Sequence, residues 1–288
     1  MPSLYVVATP IGNLEDISLR ALRVLREVSL IAAEDTRKTR KLLNRYDIKT
    51  PLTSYFEHNK MTKLEYLLDK LNEQDIALVS EAGTPGVSDP GYELIAAAAG
   101  RGITIVPVPG PSAITAALVV SGLPTDRFTY LGFLPPRQAA RRKALQEAAG
   151  VKSTLVVLET PHRLEGSLKD ILYVLGDRRI SVCRELTKLH EEVFRGTVSA
   201  AVSHFATPKG EFTLIIEGNR EKAAPLPEAE IENELFRLYS AGASAKEAIS
   251  CVAEESGVSR KELYRTWLRF NKEKEPEKDP CQCLGRRK

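Results

Sequence analysis

The chain is poor in the features that mark several common protein classes. It has 4 Cys in 288 residues (Cys183, Cys251, Cys281 and Cys283), too few and too scattered for a disulfide framework, which suits a reducing compartment. Its longest nearly apolar stretch, Ala113 to Leu123, falls far short of the ~20 residues of a membrane span. No basic-then-apolar leader precedes the first strand pattern at Leu4–Ala8, so a cytoplasmic protein is expected rather than a secreted one. No G-x-G-x-x-G follows that strand and no G-x-x-x-x-G-K-[ST] occurs, which disfavours Rossmann-type dinucleotide binding and P-loop phosphate binding. His58, His162, His190 and His204 lack metal-ligand spacing, Cys281-Gln282-Cys283 lacks further ligands, and there is no G-x-S-x-G elbow; no metal is expected. The 18 Gly and 17 Pro are too few for a collagen-like or low-complexity chain, and 43% hydrophobic with 27% charged residues is ordinary for a globular protein.

What is present is an alternation of short β-rich runs with amphipathic helical patterns. Strands are predicted at Leu4–Ala8, Val28–Ala33, Ile76–Ser80, Ile103–Val108, Phe128–Phe133, Thr154–Glu159, Ile180–Glu185 and Phe212–Glu217, with helices such as Ser18–Glu27, Thr62–Asn72, Tyr92–Ala99 and Arg163–Leu175 between them. This pattern argues an α/β architecture. The Pro-rich segment 107–112 is predicted to break the chain between elements, giving domains over 1–112 and 113–220. A polar, Pro-containing linker at 221–227 precedes three helical segments without a strand, Glu228–Tyr239, Ser244–Glu255 and Ser259–Phe270. Ser244 and Ser259 suit N-caps and Gly257 a terminating turn, so 228–271 reads as a small helical domain, either a helix-turn-helix or a packed bundle. Residues 272–288 are charged and expected to be disordered.

The net charge is +3, and residues 221–288 carry as many acidic as basic side chains, so the excess lies in the first 220. It gathers in two runs, Arg37-Lys38-Thr39-Arg40-Lys41 with Arg45 nearby, and Arg137 with Arg141-Arg142-Lys143. Such runs serve either as solvated helix faces or as contacts to nucleic-acid phosphates. Four loops at predicted strand ends are rich in Gly, Pro and small polar residues: Thr9–Asp16, Glu34–Arg40, Ser80–Gly91 and Val108–Ala113. Loops at the carboxyl ends of strands are where open α/β sheets bind ligands.

These loops, together with Glu159-Thr160-Pro161-His162-Arg163, resemble in order the tetrapyrrole methylase superfamily, and within it the branch that methylates small-subunit ribosomal RNA. The likeness runs from about residue 3 to 218. It implies two α/β domains with a cofactor cleft between them, S-adenosylmethionine as methyl donor, 2′-O-methylation of a cytidine ribose in the decoding region of 16S rRNA, and a homodimer. Tetrapyrrole-modifying members carry a G-x-G-x-G-D loop after strand one and a G-D-P element; this chain has Pro10, Gly12 and Asn13 in the first place and Gly83-Thr84-Pro85 in the second, which argues against a porphyrinoid substrate. A precorrin- or diphthine-type methyltransferase of the same fold, and a non-catalytic nucleic-acid-binding regulator, are the competing readings.

The resemblance assigns donor contacts to Pro10, Gly12, Gly83, Thr84, Pro85, Gly86, Val87, Ser112, Ala113, Leu158, Phe212, Thr213 and Leu214. The last four also suit a β core. Asp35 and Arg37 are the expected catalytic pair, Asp35 accepting or orienting the hydroxyl proton and Arg37 fixing the carboxylate or a phosphate; a structural ion pair is the alternative. Expected RNA contacts are Arg37, Lys38, Arg40, Lys41, Arg137, Arg141, Arg142, Lys143, His162 and Arg163. Glu81, Asp89 and Asn13 are secondary candidates.

Overall fold

The computed structural model describes residues 2–220, 228–256 and 258–273. Two compact units emerge, Met1–Asn219 and Arg220–Lys288. The first contains two five-stranded sheets, whose strands lie in the chain before and after the expected boundary near residue 112, within one compact unit.

The first sheet comprises β1 (Ser3–Val7), β2 (Leu30–Ala33), β3 (Leu52–Ser54), β4 (Ile76–Val79) and β5 (Thr104–Val108), all parallel in the order β3-β2-β4-β1-β5. Alternating side chains bury both of its faces, as a parallel sheet demands. Val7, Ile31, Ala33, Ala77 and Val79 pack on α1 (Leu19–Glu27) and α2 (Thr36–Arg45). Leu4, Leu30, Ala32, Ile76 and Leu78 pack on α3 (Lys60–Leu71) and α4 (Tyr92–Gly100). Pro107, expected outside any element, lies inside β5 opposite Val6. β5 is an edge strand, where a missing N–H costs the ladder nothing on its open side.

Most of the segment 34–40, expected as a loop, is the start of α2, and the basic run lies on that helix. Asp35 caps it, its carboxylate accepting from the backbone amides of Arg37 (2.8 Å) and Lys38 (3.3 Å). Thr39, Leu42 and Leu43 form its buried stripe, at the i, i+3, i+4 spacing of one helix face.

The second sheet is mixed. β6 (Phe128–Phe133) runs parallel to β7 (Thr154–Glu159), and the remaining pairs of the order β6-β7-β10-β8-β9 are antiparallel, with β8 at Arg179–Arg184, β9 at Glu192–Thr197 and β10 at Phe212–Ile216. One face, with Leu155, Val157, Leu214 and Ile216, packs on α6 (Gln138–Glu147), α7 (Pro161–Leu175) and α8 (Val198–His204). The other face offers Val156, Cys183 and Ile215 to α5 (Ala113–Ser121). Leu158 and Thr213, at the strand ends, border a cavity.

The second unit contains α9 (Glu228–Ser240), α10 (Ala245–Ser256) and α11 (Arg260–Glu273), packed around Leu235, Ile249, Val252, Leu263 and Trp267. Ser244 and Glu247 form a reciprocal capping box, and the Glu262 amide donates to the Ser259 hydroxyl, so both serines cap as expected. α11 extends past residue 271. The linker at 221–227, Gly257 and the tail with Cys281 and Cys283 lie outside the described residues.

Candidate active site

β1 and β4 are neighbours, so the loops that leave their carboxyl ends meet. Thr9 and Gly83 exchange two backbone hydrogen bonds of 2.9 Å. Gly83 and Gly86 hold φ of +77° and +81°, conformations that favour glycine over any residue with a Cβ. Beside this junction opens a cavity of about 650 Å³, within the range of small-molecule sites. Ile11, Ala82–Thr84 and Val87 wall it from the first sheet, and Phe128, Tyr130, Phe133, Leu158–Pro161 and Glu211–Thr213 from the second. The first turn of α5, with Ser112, Ala113, Ile114 and Thr115, closes one end.

The charged residues that line the cavity are all acidic, three of them paired with cations outside the lining. Glu34, Glu81, Asp89, Glu159 and Glu211 border it, and among the described lining residues there is no Lys or Arg. The Ser112 side chain makes no cap bond, leaving the first-turn amides of α5 to meet an anion. The site therefore suits a ligand with a carboxylate at one end, a cationic centre, and an aromatic ring for the Phe128–Phe133–Phe212 side. S-adenosylmethionine has these three parts, and the fit is to its chemistry.

Of the expected donor contacts, Gly83, Thr84, Val87, Ser112, Ala113, Leu158, Phe212 and Thr213 border the cavity; Pro10, Gly12, Pro85, Gly86 and Leu214 do not. Leu214 is fully buried in the core beneath the sheet, because strand alternation turns it away from the face that Thr213 occupies. A Cβ on Gly12 would lie 2.5 Å from Lys188 Cγ and 2.7 Å from Thr187 Oγ1. Gly12 thus admits the 186–188 loop, which also accepts from the Asn13 amide through Thr187 Oγ1 at 3.0 Å. A Cβ on Gly86 would point at Ile95 Cδ1, 3.3 Å away, so this glycine shapes the turn into α4.

The expected catalytic pair lies outside the cavity lining. Asp35 is occupied by the α2 amides and by Arg37 Nη2 at 3.1 Å. The Arg37 side chain and amide hold its carboxyl down to about 2, which leaves a poor proton acceptor, and it does not border the cavity. This geometry favours the structural ion pair for these two residues. Glu34, in the same loop, borders the cavity and accepts from the Glu81 amide at 3.0 Å; no sequence signal marked it over Asp35. Asp89 borders it too. Its carboxyl is pushed up to about 6 by burial, with the charge of Glu34 adding to the shift.

The basic run at 137–143 divides in two. Arg137 and Lys143 are exposed, as phosphate contacts require. Arg141 is 8% exposed and its Nη2 pairs with Asp170 at 2.6 Å, while its Nη1 donates to Pro136 O at 3.1 Å. Arg142 Nε donates to the same carboxylate at 2.7 Å and its guanidinium stacks over Tyr173. Arg141 is accordingly buried and paired, with little surface to offer a phosphate. Arg163 is likewise engaged, with Glu159 at 3.1 Å and with Leu134 O, and Lys38 pairs with Glu81. Arg37, Arg40, Lys41 and His162 are exposed.

The fold and this acidic, two-walled cavity define a methyl-transfer enzyme of the α/β class, and the chain belongs to the tetrapyrrole methylase family. The family model described as Tetrapyrrole (Corrin/Porphyrin) Methylases matches residues 3–202. More particularly, the chain is 50% identical over 276 residues to the protein of Halalkalibacterium halodurans named ribosomal RNA small subunit methyltransferase I, covering 92% of this chain and 94% of that one. It is 49% identical to the protein of the same name from Thermotoga maritima over 221 residues, 76% of this chain and 99% of that one. Among solved structures, a diphthine synthase superposes with a TM-score of 0.61 at 14% identity, covering 74% of this chain and 89% of that one, a likeness of fold.

Proposed function

We propose that the protein is an S-adenosylmethionine-dependent methyltransferase that modifies small-subunit ribosomal RNA, and that its target is the 2′-hydroxyl of a cytidine ribose in the decoding region. The observation that carries the reading is the cavity with five bordering carboxylates and no lining cation. Such a site favours a sulfonium ligand over its neutral thioether product, so the charge lost on transfer also weakens product binding. The amides of the first α5 turn hold the donor's carboxylate, and the aromatic wall from β6 receives its ring. The bound donor supplies an activated methyl group. The protein orients it, excludes water and removes the hydroxyl proton.

The substrate assignment is supported by the named relatives at 49–50% identity. It is also supported by the exposed Arg40, Lys41, Arg137 and Lys143, whose charge suits a phosphate backbone. The T. maritima relative is spanned almost entirely by 221 aligned residues, close to the length of the first unit. This favours catalysis by that unit and disfavours a regulator built on the C-terminal helices. The homodimer and the cytoplasmic location belong to the same proposal; among the described residues, no helix is long and apolar enough to cross a membrane. Incubation with methyl-labelled donor and separated ribosomal subunits tests it. Label in small-subunit RNA alone is expected, and label confined to protein or to the large subunit would overturn the assignment.

A further inference from the structure

Five carboxylates border the cavity, and four of them have a charged or backbone partner. Glu81 pairs with Lys38. Glu159 is held by Arg163 Nε (3.1 Å), Ser167 Oγ (2.5 Å) and the Thr160 amide (2.9 Å). Glu211 pairs with Lys188 at 2.9 Å, and Glu34 receives the Glu81 amide at 3.0 Å. Asp89 differs: its hydrogen-bonding neighbour is the neutral Ser80 hydroxyl, and among the described residues it joins no ion pair.

Its position is also fixed. Ser88, at φ +62°, shares a 2.6 Å hydrogen bond with the Tyr130 hydroxyl on the opposite wall. A Cβ on Gly132, the residue after the β6 irregularity, would sit 3.3 Å from Ser88 Oγ. The Ser88–Tyr130 bridge therefore ties the segment that carries Asp89 to the second sheet.

On the reading that the cavity holds the methyl donor and admits a ribose hydroxyl, we propose that Asp89, held on the cavity wall beside the Ser88–Tyr130 bridge, is the catalytic base. Asp89 takes the hydroxyl proton while the oxygen lone pair forms the bond to the methyl carbon and the carbon–sulfur pair stays on sulfur. A sulfonium and a carboxylate become a neutral thioether and a neutral carboxyl, and the hydroxyl becomes an ether. Opposite charges vanish together in a site shielded from water, which favours the forward direction. The groups facing Asp89 are Glu34 from the end of β2, Ser80 from the end of β4 and Tyr130 from β6, with Lys38 of α2 acting on Glu34. Burial, with the like charge of Glu34 adding to it, pushes the Asp89 carboxyl up to about 6, near the pH where a general base works best.

Three measurements test this. In the free protein, carbon-13 NMR of labelled Asp carboxyls should show one resonance, absent from Asp89→Asn, that titrates near pH 6 and moves to lower pH in Glu34→Gln. Single-turnover methylation should rise with pH to a plateau above that value, and Asp89→Asn should lose about 10²-fold or more together with the inflection. Calorimetry should find the donor still bound by Asp89→Asn. A variant with wild-type turnover and an unchanged pH profile, or an Asp89 resonance that titrates near pH 4 in both the wild type and Glu34→Gln, overturns the assignment. Wild-type protein that binds no S-adenosylmethionine overturns the underlying reading as well, so the two failures are distinct.

Discussion

Replacing Arg141 with Ala separates the structural part of the basic run from the part available to RNA. The substitution removes a guanidinium that is 8% exposed from a carboxylate that is 1% exposed. Breaking such a pair costs about 3–5 kcal/mol, because the remaining charge stays buried. Arg142 Nε and Gln138 Nε2 still reach Asp170, at 2.7 and 3.3 Å, which places the loss at the lower end, about 3 kcal/mol. At roughly 2–4 °C per kcal/mol for a unit of this size, the melting temperature should fall by roughly 6–12 °C.

The pH dependence has a definite sign. Burial raises the Asp170 carboxyl, but the hydrogen bonds from Arg142 and Arg141 more than offset it and hold the group below its ordinary 3.8. A group depressed in the folded state stabilises above its unfolded value and loses that contribution as pH falls through its folded value. The difference between wild type and Arg141→Ala should therefore be full at pH 7 and shrink in acid below about pH 4. Thermal melts across pH measure it, beside the salt dependence of small-subunit RNA binding. An unchanged melting temperature with a salt slope reduced by about one unit would refute the buried-pair account and return Arg141 to the RNA surface.

Three further outcomes are expected. Ala113→Phe, at the first turn of α5 on the cavity wall, should weaken S-adenosylmethionine at least tenfold, about 1.4 kcal/mol, by calorimetry on a protein that melts near the wild-type temperature. Combined replacement of the exposed Arg40, Arg137 and Lys143 by Ala should leave donor affinity intact and reduce the salt slope of small-subunit RNA binding by about 0.7–0.9 per lost phosphate contact. Asp35→Asn retains an acceptor for the α2 amides and should keep turnover within a few-fold of wild type, whereas Asp35→Ala should lower the melting temperature by a few degrees. A hundredfold loss in Asp35→Asn with donor binding intact would make Asp35 the base after all.

Much of the fold was legible in the sequence because its sheets are buried. Runs such as Ile76–Val79 and Phe212–Ile216 are buried throughout, and all eight expected strands are present. The two strands without a sequence signal are β3 and β9. β3 is three residues long and half-buried, and β9, Glu192–Thr197, is a partly exposed edge strand that mixes polar and apolar residues; neither has the apolar continuity that a buried strand requires. α2 was hidden because Arg37–Lys41 reads as a charged loop, and its apolar stripe begins only at Leu42. The cavity was legible through the Gly- and Pro-rich loops that meet beside it, whereas the partners of its charged residues were distant in sequence. Arg141 finds Asp170 on α7, and Asp89 meets Glu34 across two strand ends. No local pattern records such pairings, which is why the partners of Asp89 and Arg141 were not legible in the sequence.

The central claim, that the cavity directs a methyl group to a ribose oxygen of small-subunit RNA, is tested most directly by the chemistry of the product. Small subunits lacking the modification would be treated with the protein and S-adenosylmethionine, and the RNA digested to nucleosides for mass spectrometry. The account predicts a single new species, cytidine with the added mass on the sugar fragment, at a position whose 3′ linkage resists alkali because the neighbouring hydroxyl is blocked. Added mass on the base fragment, with the linkage still cleaved by alkali, would contradict it.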